Sequence, residues 1–131
     1  MWSFRIVLAV GLFLFGTTFL WMTAAMAGRV PPPTGRAWTL ANVLAYLAVI
    51  GFSITAWAVF KQHPWWDTAA VVSAVVGLVA VVPFVVGQRR LEAGLGDLGV
   101  QINIWLHVLG GAAVIALAAL PAARAWVTDR L

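Results

Sequence analysis

Residues 37–60 read AWTLANVLAYLAVIGFSITAWAVF, and none of them is Asp, Glu, Lys or Arg. A helix needs about 20 such residues to cross a hydrocarbon core about 30 Å thick at a rise of about 1.5 Å per residue. The apolar residues do not alternate with polar ones, so the period of a lipid-facing barrel strand is absent. Inside a bilayer the backbone has no water to bond, and a helix satisfies its own polar groups within one segment. The stretch therefore reads as a transmembrane helix.

Working outward, residues 6–28, 68–88 and 98–123 are equally free of charge. Four helices are predicted, over about 4–28, 38–60, 67–88 and 99–123, forming one domain over residues 1–131. The connections are short. GRVPPPTGR at 28–36 carries three consecutive prolines, which cannot continue a helix. KQHPWW at 61–66 turns at Pro64, and QRRLEAGLGDLG at 88–99 is rich in glycine. Short loops make consecutive helices neighbours, so the predicted fold is an all-α membrane protein with an up-down-up-down bundle. Trp38, Trp65, Trp66, Trp105 and Trp126 fall near predicted helix ends, where indoles suit the membrane interface.

Composition points the same way. The chain has 131 residues, of which 63% are hydrophobic and 9% charged. A soluble domain averages roughly 45–50% apolar and about 25% charged residues. A small domain leaves much of its surface in water, and so few charges cannot cover it. There is no cysteine, which removes disulfides, thiol catalysis and thiolate metal sites. The net charge of +4 comes from seven arginines and one lysine, all near the ends of apolar runs. They read as headgroup anchors and not as a nucleic-acid-binding face.

Arg5, an apolar stretch and Ala25-Met26-Ala27 look like a secretory signal, but the stretch exceeds the usual roughly 7–15 residues. The reading taken is a retained first helix. Arg5, Lys61, Arg124 and Arg130 lie on one side of the membrane, and Arg29, Arg36, Arg89 and Arg90 on the other. This balance gives no positive-inside bias. The signal-like start places both termini in the cytoplasm, and the Ala-, Val- and Arg-rich composition points to a bacterial inner membrane.

Buried polar groups are costly in lipid and so are the place to look for function. On the fourth predicted helix Asn103 and His107 stand four apart, with Gly110 and Gly111 a turn beyond, so all lie on or near one face. His107 is the one candidate for cofactor ligation or proton handling. The plainer reading is that Asn103 and His107 bond across to a neighbouring helix. On the second helix Asn42, Tyr46, Val49 and Ser53 share a face, predicted to turn inward, with Asn42 or Tyr46, or by depth Ser53 or Thr55, as possible partners for His107. On the third, Ser73-x-x-x-Gly77 permits close helix approach, and Pro83 predicts a kink.

The acids Asp67, Glu92, Asp97 and Asp129 all fall in loops or at helix ends, so no intramembrane carboxylate offers a proton relay. His63 and His107 are the only histidines, one in a loop and one in a span, and no nucleophile has a local base. The expected chain therefore has no catalytic residues, no metal and no cofactor. Its partners are the bilayer and other membrane subunits or copies of itself. The leading expectation is an accessory or scaffold subunit of a larger membrane complex. The alternatives are a small homo-oligomeric channel or carrier, with a path near Asn42, Tyr46, Asn103 and His107, and a lipid- or quinone-binding protein.

Overall fold

Each of the four apolar stretches is helical over most of its length in the computed structural model, which describes residues 2–131. The helices are α1 (Phe4–Thr17), α2 (Arg36–Phe60), α3 (Trp66–Gln88), α4 (Leu98–Ala119) and a short α5 (Pro121–Thr128). No strand is found among the described residues. Four helical stretches are long and apolar enough to span a membrane: Phe4–Met22, Arg36–Phe60, Trp66–Gln88 and Leu98–Ala119. The chain is a small polytopic membrane protein built as a four-helix bundle, with successive helices packed side by side.

The α2–α3 pair forms the centre of the bundle. On α2 the packed face is made of small residues, with Ala41, Ala45 and Ala48 fully buried. On α3 the matching face includes Ala70, Ser73, Ala74 and Gly77, all buried. Lipid is as apolar as leucine, so helices associate through close contact, and small side chains let the backbones approach. Gly51 packs directly on Ser73, whose hydroxyl lies 3.3 Å from that of Thr55. The helix continues without a break through Pro83.

Two spans depart from the predicted boundaries. The first was expected as one helix over about 4–28, but α1 ends at Thr17. A 3-10 turn over Thr18–Met22 follows, then an extended Thr23 (φ −87°, ψ 154°), then a second 3-10 turn over Ala24–Met26. Three threonines favour the tightening locally. The hydroxyls of Thr17, Thr18 and Thr23 donate to the carbonyls of Leu14, Phe15 and Leu20, each three residues back, at 2.7, 2.6 and 2.6 Å. Such bonds compete with the α-helical ladder and are compatible with 3-10 geometry, which bonds from two other helices then hold in place.

The fourth span was expected over 99–123, but α4 stops at Ala119. Leu120 is extended (φ −72°, ψ 124°) because the ring of Pro121 disfavours helical geometry in the residue before it. Pro121 then opens α5, where a missing N–H costs nothing. At this end of the bundle, the Arg124 guanidinium donates to the Asp67 carboxylate at 3.2 Å. The ring of Phe4 meets Trp126 edge-on at 5.4 Å, and His63 stacks on Trp65 at 5.1 Å and beside Trp57 at 4.5 Å.

Candidate functional site

Asn42, Asn103 and His107 converge on the broken part of the first span. His107, fully buried on α4, places Nε2 3.0 Å from the Thr18 hydroxyl. Its Nδ1 lies 2.6 Å from the carbonyl oxygen of Asn103, one turn back on the same helix. A carbonyl only accepts, so Nδ1 carries the proton of this bond. In the neutral ring Nε2 is then an acceptor, and the single Thr18 hydroxyl proton is shared between it and the Phe15 carbonyl. Phe19 closes over the imidazole at 4.4 Å between centroids, and Phe15 lies at 6.1 Å.

The two asparagines attend to backbone groups that the break sets free. Asn103 Nδ2 donates to the Trp21 carbonyl at 3.0 Å. Asn42 Oδ1 accepts from the Ala24 amide at 2.8 Å. An α-helix interrupted in lipid leaves amides and carbonyls without partners, and interruptions persist where neighbouring helices supply replacements. Asn42, Asn103 and His107 thus come from two helices to fasten one segment of a third.

The remaining residues of the predicted site lie elsewhere. Tyr46 is 50% exposed on the outer surface, so the stripe Asn42, Tyr46, Val49, Ser53 is not the inward face of α2. Ser53 turns its hydroxyl back to the Val49 carbonyl at 2.8 Å. Neither they nor Asn42 meets His107, whose partner is Thr18. Thr18 and Thr23 escape a periodicity reading, although their clustering with Thr17 in an apolar span is a signal. Gln88 is a third residue that spacing does not single out.

A cavity of about 500 Å³ lies beside this junction, lined by Trp21, Arg29, Phe84, Gln88, Ile102 and Asn103 among others. Gln88 and Asn103 are 6% and 9% exposed, and Oε1 of the first and Oδ1 of the second are buried without a hydrogen-bond partner. Among the described residues no three His, Asp or Glu side chains are grouped as metal ligands. Both ring nitrogens of His107 are engaged within the protein. The arrangement is one that positions helices and offers acceptors.

Protein-family models, curated proteins and solved structures give no match to this chain.

Proposed function

We propose that this chain is a non-catalytic subunit that packs into a larger membrane assembly. The observation that carries this reading is the division of labour among its residues. Asn42, Asn103 and His107 bond to the broken first helix, while the fourth span is the one of the four least covered by its own chain. Only 17% of that span is buried, against 39% for each of the two central spans. Its outward side combines Trp105 and Leu109 with the exposed small residues Ala112 and Ala113, a surface on which another helix can approach closely. A polar path through Asn42, Tyr46, Asn103 and His107 draws less support, since Tyr46 points outward and the other three hold the first span.

Solubilisation of native membranes in a mild detergent tests the proposal. The 14.0 kDa chain is expected to migrate within a larger hetero-complex, and Ala112→Trp should release it. A monomer, or a complex of this chain alone, would refute the subunit reading. In the same preparation His107→Leu is expected to lower stability by about 1–3 kcal/mol through the lost Thr18 contact, as a shift in thermal midpoint. Abolition of ion or solute flux in reconstituted vesicles with an unchanged midpoint would favour the channel instead.

A further inference from the structure

The break divides the first span into the parts of a secretory signal. The apolar stretch as a whole is too long for one, but the helix within it is not. α1 runs 14 residues, Phe4–Thr17, within the usual roughly 7–15 for the apolar core of a signal. Arg5 supplies the positive flank at its start. Beyond the helix come the two 3-10 turns and Ala25-Met26-Ala27, the small-x-small spacing at which signals are cut. Such triplets occur by chance in an alanine-rich chain, and this one stands out by its place. Ala25 and Met26 are exposed, and so are residues 28–32 beyond Ala27. The Ala27–Gly28 bond sits where the fastened segment meets an open loop.

The folded chain does not present that bond for cutting. Reading the residues one and three places before a cut needs an extended backbone, in which alternate side chains point the same way. In 3-10 geometry residues two apart point about 240° apart around the axis. Ala24–Met26 is a 3-10 turn, and Ala27 follows it in the right-handed helical region (φ −72°, ψ −1°). Three hydrogen bonds keep the turn closed. The Met26 amide donates to the Thr23 carbonyl at 3.1 Å, the Ala27 amide to the Ala24 carbonyl at 3.2 Å, and the Ala24 amide to Asn42 Oδ1 at 2.8 Å. The first two are local to the turn. The third comes from α2 and ties the turn to the bundle.

We propose that Ala27–Gly28 is a latent processing site for a membrane endopeptidase of the kind that removes secretory signals, withheld from it by the hydrogen bond that Asn42 accepts from the Ala24 amide. Cutting is hydrolysis: water adds across the amide, leaving a carboxylate on Ala27 and an amine on Gly28. The shield forms late. The first span is synthesised before Asn42 on α2 and before Asn103 and His107 on α4, so the site is open until those helices pack against it. Retention of the first span is the outcome of a race between packing and cutting. This site does not depend on the subunit reading and would stand if that reading fell.

The test incubates the full chain in mild detergent with a purified bacterial signal peptidase and reads the products by intact mass and N-terminal sequencing. The unaltered protein is expected to be cut slowly, and only at Ala27–Gly28. Where a site opens and closes quickly the rate of cutting follows the open population, so Asn42→Leu should raise it roughly tenfold through the lost bond. Ala25→Trp, at an exposed position, should stop the cut in that background, because an indole does not fit a pocket for a small side chain. Gly51→Ala separates local from global opening. Its Cβ would press on Ser73 and loosen the α2–α3 contact while leaving the Ala24 bond in place, so the rate should stay that of the unaltered protein. The proposal is overturned if neither the unaltered chain nor Asn42→Leu yields a fragment starting at Gly28, or if both are cut at one rate. It is equally overturned if Ala25→Trp leaves the cut intact, or if Gly51→Ala accelerates it as much as Asn42→Leu does.

Discussion

Gly77→Ala is expected to destabilise the protein by about 1–3 kcal/mol, and to cost almost nothing once Phe19 is itself alanine. A Cβ on Gly77 would overlap the ring of Phe19, which descends from the 3-10 turn of the first span. That ring has no room to retreat. It is fully buried, stacked on Phe52 at 5.7 Å, edge-on to Phe15 at 5.5 Å and against His107 at 4.4 Å. Phe19→Ala alone is also costly, but for the opposite reason. An unpacked helix stays in hydrocarbon, so transfer of the ring contributes little, and the void dominates. Roughly 100 Å³ at about 24 cal/mol per Å³ gives about 2–3 kcal/mol. The double substitution places the new methyl in part of that void, so its total should fall below the sum of the singles. Unfolding in a graded mixture of mild and denaturing detergent measures all three. Additive losses would show that Gly77 and Phe19 do not compete for one space.

The four spans were legible because lipid imposes a rule that length and missing charge satisfy alone. The faces were harder, and α2 shows why. A stripe of Asn42, Tyr46 and Ser53 suggests an inward polar face by the logic of soluble proteins turned inside out. The helix instead buries Ala41, Ala45 and Ala48 and leaves Tyr46, Leu47 and Ile50 half exposed. In a bilayer small residues go inside, since proximity is the main source of attraction, and large apolar ones face the acyl chains. Tyr46 follows its size and not its hydroxyl. Asn42 does reach a protein partner, yet that partner is the Ala24 amide, which becomes available only because the first span is broken.

The breaks differ in how visible they were. Leu120 precedes a proline, and the extended geometry there follows from that neighbour alone, although the apolar run conceals it. Residues 17–23 read TTFLWMT, without proline or glycine, and nothing in that run forbids an α-helix. The break needs the threonine hydroxyls together with Asn42, Asn103 and His107, which lie 18, 82 and 89 residues along the chain from their partners. A pattern within one span cannot reveal bonds made to two others. Asn103 and His107 stood out as costly groups in lipid; the segment they hold did not.

That dependence can be measured. Asn42→Leu and Asn103→Leu are each expected to cost about 1–3 kcal/mol, because each leaves one backbone group of the first span without its partner. Together they should cost clearly less than the sum. The two side chains hold the same short segment, on either side of the extended Thr23. With both gone, the cheapest remedy in lipid is for residues 18–26 to rewind and satisfy their amides and carbonyls within the helix. The threonine hydroxyls oppose rewinding only weakly, since threonine is tolerated inside helices at a modest cost. The double variant should therefore gain helical signal in far-ultraviolet circular dichroism and slow amide exchange across residues 18–26, where either single variant shows faster exchange. Rewinding would also carry Thr18 away from His107 and shift Phe19 against Gly77, so the gain in helix is bought with packing. Losses that add, with no gain in helicity, would mean that the threonines and aromatic packing alone fix the break and that the asparagines only follow it.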